Sequence, residues 1–247
     1  MELDLAGKVA VVTGGAGPIG ARAAVRLAEE GCDVASIDFA SPGETVEQAV
    51  SASGRRAFCA RCDLTQPADV ASVVRRVLDA FGRIDILVNS AGVISLADID
   101  ELDVAEWDRV IGMNLKSAFL CSRAVIPHLK SRQAGKIVNV ASALGHTPVA
   151  AAGHYAAAAA GVIALGRTLS LELASHKINV NTVAPGLVNG DAVPWHLAFS
   201  TWGLPGAGVQ GVELPDHVAK VVVFLASSAF EYVTGQTLFV NAGALMP

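Results

Sequence analysis

The amino-acid sequence predicts an α/β fold, a doubly wound parallel sheet of about seven strands with helices on both faces. Short apolar runs alternate with longer helical patterns from one end of the chain to the other. Most of the apolar runs are rich in Val and Ile without polar alternation, which is typical of parallel strands covered on both faces. No repeat, linker or charge block divides residues 1–247, so we expect a single domain.

The strand candidates recur along the whole chain. Each is a short run dominated by β-branched and other apolar side chains, the residue types that fit a pleated, buried surface. The predicted strands are Lys8–Val12, Asp33–Ile37, Arg56–Ala60, Ile84–Val88, Lys136–Val140, Ile178–Val183 and Thr237–Val240.

Helix candidates fill the intervals between these strands. Pro67 and Pro215 suit the first turn of a helix, where a missing N–H costs nothing. The predicted helices are Pro18–Glu30, Gly43–Ala52, Pro67–Phe81, Val104–Ser131, Tyr155–Ala174 and Pro215–Ser227. Strands and helices that alternate in this way form right-handed crossovers and therefore a doubly wound sheet.

The composition excludes several classes of protein. Eighteen Lys and Arg against twenty-three Asp and Glu give a net charge of −5, without the basic excess that nucleic acid or an anionic membrane attracts. A hydrophobic content of 52% with 17% charged residues argues against disorder. The N-terminal residues lack the basic and apolar regions of a signal peptide. We therefore expect a cytoplasmic protein that binds neither nucleic acid nor membrane.

Cysteines and histidines give no sign of a metal site. The four cysteines are too few and too scattered for a disulfide framework. The six histidines show no HExxH or comparable ligand spacing. No bound metal is predicted.

One segment interrupts the alternation of strands and helices. Pro185–Pro215 is rich in Gly and Pro and contains Trp195 and Trp202. A loop of this length inside a compact domain is usually functional, and this one follows the carboxyl end of a strand, where open α/β sheets bind ligands. Residues 186–214 are therefore predicted to form a substrate lid, with a surface excursion as the alternative.

The first strand leads into a glycine-rich turn and then into a helix. Gly15, Gly17 and Gly20 spell GxGxxG, a spacing that lets the backbone approach a pyrophosphate at the helix N-terminus. The second strand ends at Asp38, eighteen residues beyond Gly20, where an acid binds a ribose 2′-hydroxyl and repels a 2′-phosphate. Neither the turn nor the residues just after Asp38 provide a Lys or Arg for such a phosphate. The sequence therefore predicts a Rossmann-type site for NAD rather than NADP.

Ordered motifs over essentially the whole chain resemble the short-chain dehydrogenase/reductase (SDR) family. The family's turn TGxxxGxG is matched at Thr13, Gly14 and Gly20, with Pro18 in place of the middle glycine. Other segments similar to family motifs are Asp63-Leu64, Asn89-Ser90-Ala91-Gly92, Asn114, Asn139-Val140-Ala141-Ser142, Pro185-Gly186-Leu187-Val188 and Tyr232-Val233-Thr234-Gly235-Gln236. The resemblance implies that the cofactor is bound by Gly14, Gly17, Pro18, Ile19, Gly20, Asp38, Asp63, Leu64, Asn89, Ala91, Gly92, Tyr155, Pro185, Gly186 and Val188.

The resemblance also implies a reaction. A hydride would move between a nicotinamide and a carbon bearing an alcohol or carbonyl, while Tyr155 exchanges a proton with the substrate oxygen. Ser142 would hydrogen-bond the same oxygen, and Asn114 would help to hold a water in a proton relay. Substrate contacts are expected at Ser142, Leu144, His146, His154, Tyr155 and Trp195, with simple surface or loop positions as the alternative for the histidines and the tryptophan. The expected protein is an NAD(H)-dependent oxidoreductase that interconverts a secondary alcohol and a ketone, assembled as a homotetramer.

One family motif is incomplete. YxxxK reads Tyr155-Ala156-Ala157-Ala158-Ala159 here, and residues four apart share a helix face. In the family that lysine binds the nicotinamide ribose and lowers the pKa of the tyrosine, which Ala159 cannot do. Because the surrounding motifs are intact, we favour a deliberate lysine-to-alanine inactivation. The alternative is a natural non-catalytic NAD-binding pseudoenzyme that acts as a sensor or scaffold.

Overall fold

The computed structural model describes residues 2–40, 44–147, 149–186, 188 and 214–243. The predicted lid, residues 186–214, lies outside this part of the chain except at Gly186, Val188 and Leu214. Trp195, a predicted substrate contact, also lies outside it.

Seven parallel strands in the described chain form one sheet, which confirms the predicted doubly wound fold. They are β1 (Val9–Thr13), β2 (Asp33–Asp38), β3 (Ala57–Arg61), β4 (Ile86–Asn89), β5 (Gly135–Val140), β6 (Ile178–Pro185) and β7 (Thr237–Val240). Their order across the sheet is β3-β2-β1-β4-β5-β6-β7. The chain changes direction across the sheet between β1 and β4, so the ligand crevice is expected there, outside the carboxyl ends of the strands.

Helices cover both faces of this sheet. They are α1 (Pro18–Glu29), α2 (Glu44–Ala52), α3 (Pro67–Phe81), α4 (Val104–Ile111), α5 (Ser117–Arg132), α6 (Gly153–Leu173) and α7 (Pro215–Ala226). Pro18, Pro67 and Pro215 all stand at the start of their helices. Proline is tolerated there because the first amides of a helix have no intrahelical acceptor.

Side chains of each strand alternate between two apolar cores. In β1, Val12 packs in the core that contains Leu27 of α1 and Val222 of α7, whereas Val11 packs in the core that contains Val125 of α5. All five residues of β1 are buried. Because both faces are covered, the strands need no polar alternation, and their continuous apolar runs follow from this burial.

The predicted helix Val104–Ser131 is present as α4, a π turn at Gly112–Lys116 and α5, which follow one another without a break. The Nδ2 atom of Asn114 donates to the carbonyls of Val110 and Val93, both at 2.9 Å. Its Oδ1 accepts from the Val93 amide at 3.2 Å. These bonds to the loop after β4 stabilise the wider turn, and such turns are frequent at functional sites.

One described helical segment, Gly153–His176, is long and apolar enough by composition to cross a membrane, with a mean hydropathy of 1.4. In this structure α6 packs along β6 and buries Val162, Ile163 and Leu169. An apolar core helix passes the same compositional test.

Candidate active site

The turn between β1 and α1 has no room for a side chain at Gly14 or at Gly20. An ideal Cβ on Gly20 would lie 2.2 Å from the carbonyl oxygen of Gly14. One on Gly14, whose φ is +73°, would lie 2.5 Å from the carbonyl oxygen of Ser90. The N-cap of α1 is Gly17, which has no side chain to bind the first helical amides. Those amides are therefore available to an anion, and the turn fits a pyrophosphate group.

Thr13 fastens this turn to the loop after β4. Its Oγ1 accepts from the amides of Ser90 at 3.1 Å and Ala91 at 3.3 Å. On the other side of the loop, an ideal Cβ on Gly92 would lie 2.4 Å from Oδ1 of Asn114. The loop is thus held between β1 and the π turn, at the point where the strand order reverses.

Two adjoining cavities lie at this edge of the sheet. The smaller, of about 350 Å³, brings together predicted site residues from four elements: Gly17, Pro18, Ile19, Gly20, Ala91, Gly92, Asn114 and Tyr155. The larger, of about 700 Å³, is lined by Phe39, Asp63 and Lys116, among others. Val93 and Arg109 line both cavities, so together they form one elongated crevice of the kind that an extended cofactor needs.

Two aspartates lie at this edge of the sheet, Asp38 at the end of β2 and Asp63 two residues after β3. The Asp38 carboxylate accepts from the amides of Ala16 at 2.9 Å and Ala40 at 3.1 Å. Asp63 accepts from the amide of Thr65 at 2.9 Å and from its hydroxyl at 2.6 Å. Each carboxylate is oriented by donors that carry no charge and retains lone pairs that can accept ligand hydroxyl groups.

Sequence reasoning missed an arginine beside Asp38. In the parallel register of β2 and β3, Asp38 pairs with Arg61. The Arg61 Nε donates to the carbonyl of Phe39 at 2.9 Å, and its guanidinium carbon lies 5.5 Å from the centroid of the Phe39 ring. The residues following Asp38 along the chain contain no such cation, but the neighbouring strand does. The sequence signal for this contact was that Asp38 and Arg61 stand at the ends of two neighbouring strands, β2 and β3.

Three predicted cofactor residues have buried side chains. Leu64 and Val188 belong to the two apolar cores. Asn89, 4% exposed, donates to Oδ1 of Asn139 at 2.9 Å and to the hydroxyl of Ser122 at 3.1 Å. These side chains support the walls of the crevice, and direct contact of the three residues with a cofactor stays a prediction, as it does for Pro185 and Gly186 at the end of β6.

Ser142 and Tyr155 come from neighbouring elements. Ser142 follows β5 and is 5% exposed, and its hydroxyl accepts from the amide of Leu144 at 3.2 Å. The short 3₁₀ turn after it, Ala143–Gly145, packs against α6. Tyr155 lies in the first turn of α6 and lines the smaller cavity.

Position 159 lies one helical turn beyond Tyr155. Ala159 is 4% exposed, and an ideal Cβ on Gly145 would lie 3.0 Å from its Cβ. Among the described residues that line the smaller cavity, Arg109 is the one charged side chain. The guanidinium of Arg109 binds the Glu106 carboxylate at 2.6 and 2.7 Å, and this pairing lowers the pKa of Glu106 to about 2. This described wall therefore offers Tyr155 no unpaired cation.

The predicted substrate histidines lie in different surroundings. His146 is exposed, with its ring edge against Phe239 at a centroid distance of 5.6 Å. His154 is 0% exposed, and its Nε2 lies 2.7 Å from the Ser95 hydroxyl. Contact of either with a substrate stays a prediction. Within the described ranges, no group of three or more His, Cys, Asp or Glu side chains could hold a metal ion.

Comparisons with known proteins agree with this geometry. A family model described as short chain dehydrogenase matches residues 8–195. The 2-dehydro-3-deoxy-D-gluconate 5-dehydrogenase of Escherichia coli (strain K12) is 39% identical over 249 residues, covering 98% of this chain and 97% of that protein. The cis-4-hydroxycyclohexanecarboxylate dehydrogenase of Sinomonas cyclohexanicum is 38% identical over 246 residues, covering 96% of each.

A solved structure extends the similarity to the backbone. The crystal structure of a short-chain type dehydrogenase/reductase from Mycobacterium marinum matches with a TM-score of 0.92 at 29% identity, covering 99% of this chain and 98% of that one. Sequence, sheet order and crevice therefore agree, and the chain belongs to the short-chain dehydrogenase/reductase family of oxidoreductases.

Proposed function

We propose that this protein is an NAD(H)-dependent oxidoreductase that interconverts a secondary alcohol and a ketone, with Tyr155 as the general acid and base. The observation that carries this proposal is the single cavity shared by the glycine turn, Asn114 and Tyr155. A nicotinamide cofactor bound there supplies the hydride chemistry. The chain supplies orientation of the reactants and the proton transfer.

The side chains at the reacting end have separate tasks. Tyr155 gives a proton to the substrate oxygen during reduction and takes it back during oxidation. The Ser142 hydroxyl accepts from Leu144, so its own proton is available to the same substrate oxygen. Asn114 binds both backbone groups of Val93 and so keeps that wall of the cavity in place.

The surroundings of Asp38 support NAD as the nucleotide. Two backbone amides orient the carboxylate, which can accept from a ribose hydroxyl and would repel a 2′-phosphate. Arg61 lies on the neighbouring strand, but its guanidinium is bound to the carbonyl and stacked on the ring of Phe39. The preference for NAD is therefore expected to depend on Asp38.

The alanine at position 159 is the reason to propose a strongly reduced rate of turnover. A tyrosine has an ordinary pKa of about 10, so it is a poor base near neutrality unless a nearby positive charge stabilises its phenolate. Arg109 cannot supply that charge while Glu106 neutralises it. The chain is thus proposed to be an enzyme impaired by a lysine-to-alanine change. The same alanine also favours the second candidate, a natural non-catalytic NAD-binding protein that acts as a sensor or scaffold.

Restoring the lysine tests the proposal. In the Ala159→Lys variant we expect turnover to rise by about 10²–10⁴-fold, the usual contribution of acid–base catalysis. The Ala159→Met variant is the matched control, because methionine has a similar length without the charge. Both variants and the parent chain are assayed with NAD and NADP on secondary alcohols, polyols, steroids and hydroxy acids, and NADH binding is followed by fluorescence.

The outcomes separate the two candidates. Turnover in the lysine variant but not in the methionine variant supports the impaired enzyme. NADH binding without turnover in any variant supports the non-catalytic protein. Failure of all three proteins to bind NADH and NADPH contradicts both candidates.

The remaining expectations concern the partners and location of the protein. The substrate is a small molecule, and we expect α5 and α6 to pack against a second subunit in a homotetramer. Phe119 on α5 and Leu171 on α6 are 45% and 82% exposed, and burial of these side chains would stabilise such a contact. Light scattering that gives a 25.3 kDa particle would contradict the tetramer. A cytoplasmic location, without nucleic-acid or membrane binding, stays a prediction.

A further inference from the structure

A side-chain hydrogen bond joins the loop after β4 to the residue that precedes Tyr155. The Oγ of Ser95 lies 2.7 Å from Nε2 of His154, which is completely buried. Ser95 directly follows Ile94, which lines the smaller cavity. The bond therefore connects the loop after β4 with the first turn of α6.

The bond to Ser95 is the one hydrogen bond of this imidazole within the described residues. The Nδ1 atom of His154 is buried and has no hydrogen-bond partner there. Loss of the Ser95 hydroxyl would therefore leave both ring nitrogens of a buried imidazole without a partner, which is costly.

A backbone bond holds the same two segments together. The amide of Ala97 donates to the carbonyl of Ala151 at 2.8 Å. Ala151 has a φ of +58°, a conformation that is costly for alanine and persists only where the surroundings impose it. The segment that leads into α6 is therefore fixed to the loop after β4, and the beginning of that loop, at Val93 and Ile94, lines the smaller cavity.

We propose that His154 is a positioning residue for Tyr155, and that its bond to Ser95 fixes the first turn of α6 and hence the phenol relative to the cavity. The Ser95–His154 bond joins the loop that lines the cavity at Val93 and Ile94 to the residue that directly precedes Tyr155 in the sequence. A fully buried imidazole next to the reacting phenol is thereby linked to the wall of the proposed cofactor site. This inference rests on the proposed function, because the position of the phenol matters for turnover only if Tyr155 exchanges a proton.

The first test measures turnover in the Ala159→Lys background. His154→Phe and Ser95→Ala each remove the Ser95–His154 bond, and we expect each to lower kcat by about 10–100-fold, the usual cost of a small misplacement. The KM for the cofactor should change by less than about threefold, since the glycine turn is untouched. In His154→Gln the amide can still form a hydrogen bond with Ser95, as donor or as acceptor, so kcat should stay within about threefold of the background protein.

Ser170→Ala is the matched control on the same helix. Its hydroxyl donates to the carbonyl of Arg167 at 2.7 Å, far along α6 from Tyr155. Loss of this hydroxyl should leave kcat unchanged. Thermal melts of every variant show whether it is folded, and Ser95→Ala provides the test if His154→Phe does not fold.

The second test needs no turnover. The chain contains two tyrosines, and Tyr232 is fully exposed. In protein labelled with 3-fluorotyrosine, the ¹⁹F signal of Tyr232 is an internal reference for an exposed phenol. We expect His154→Phe and Ser95→Ala to broaden or split the signal of Tyr155, and His154→Gln and Ser170→Ala to preserve it.

The results separate this inference from the proposed function. An unchanged Tyr155 signal in folded His154→Phe and Ser95→Ala proteins overturns the positioning role, and so does full kcat in either variant. If the Ala159→Lys protein shows no turnover, the proposed function fails instead, and the ¹⁹F signal alone decides whether His154 positions the phenol.

Discussion

Aspartates at the two edges of the sheet have different partners. At the amino ends of the strands, the carboxylate of Asp33 accepts from Arg55 and Arg56, both at 2.8 Å. Asp85 accepts from Arg83 at 2.5 and 2.8 Å. Both aspartates are nearly buried, and each has a guanidinium to neutralise it.

At the carboxyl ends of the strands, the aspartates are held by partners that carry no charge. Asp38 accepts from the amides of Ala16 and Ala40, and Asp63 accepts from the amide and hydroxyl of Thr65. No salt bridge to Asp38 or Asp63 occurs within the part of the chain that the structure describes.

This difference distinguishes carboxylates that stabilise the fold from carboxylates that are available to a ligand. A guanidinium satisfies most acceptor sites of a carboxylate and compensates for its burial. Backbone amides orient a carboxylate but leave its charge and some lone pairs free. The amino edge is therefore expected to contribute stability, and the carboxyl edge is expected to contribute binding and discrimination.

The largest expected effect is loss of stability at the amino edge. Asp85→Ala removes acceptors from three groups: the guanidinium of Arg83, that of Arg132 at 3.4 Å, and the amide of Val9, which donates to Asp85 at 2.9 Å. We expect the free energy of unfolding to fall by about 2–4 kcal/mol, because a buried amide and a guanidinium lose their partner. Urea unfolding of the cofactor-free parent protein and variant, both at the same fixed protein concentration, measures this change in the free energy of unfolding.

Asp38→Ala is the matched control for this comparison. Its two amide donors lie near solvent, so the expected loss of stability is less than about 1 kcal/mol. Equal losses in the two variants would show that the edges do not differ in the way proposed.

The next effect is a change in nucleotide preference at the carboxyl edge. In Asp38→Ala we expect the ratio of the Kd values for NADP and NAD to fall by about 10–100-fold, or 1.4–2.7 kcal/mol, because the repelling charge is gone. Arg61, which pairs with Asp38 in the register of β2 and β3, is then expected to bind a 2′-phosphate. Fluorescence titration with NADH and NADPH measures both constants.

A second substitution sharpens this test. Adding Arg61→Ala to the Asp38→Ala variant should weaken NADPH binding and leave NADH binding nearly unchanged. Arg61→Ala alone should have little effect on NADH. A nucleotide preference that is unaffected by loss of Asp38 would contradict the role proposed for this carboxylate.

Much of the fold could be predicted from sequence because the strands are buried on both faces. Their continuous apolar runs identified all seven described strands, with ends displaced by at most two residues. The π turn in Val104–Arg132 could not be predicted in this way. It depends on bonds between Asn114 and the loop after β4, and periodicity along a helix holds no information about such a distant partner.

The candidate site likewise contains residues that could be predicted from the sequence and residues that could not. The glycine turn, Asn114 and Tyr155 follow from local motifs, and the structure places them around one cavity. Arg61 and Arg109 were missed, because the first lies beside Asp38 through strand pairing and the second lines the cavity from α4. Tertiary contacts determine both, and no motif marks them.

The smallest expected effect concerns acid stability at the amino edge. Burial alone would raise the pKa of Asp33, but hydrogen bonds from the amide and guanidinium of Arg56 and the charge of Arg55 lower it below its ordinary value. A group whose pKa is lower in the folded state stabilises the protein above its unfolded-state pKa. That contribution is lost as the pH falls through the folded-state pKa.

Asp33→Asn should therefore reduce stability at neutral pH and lose this disadvantage in acid. The unfolded-state pKa of an aspartate is about 3.9, so the difference between the two proteins should be constant above about pH 5 and shrink below about pH 4. Its size is expected to be about 1 kcal/mol, because the partner arginines remain partly exposed to solvent. Urea unfolding of both proteins between pH 7 and the lowest pH at which they stay folded measures the difference. A gap that stays constant or widens in acid would show that the arginines do not stabilise the Asp33 carboxylate.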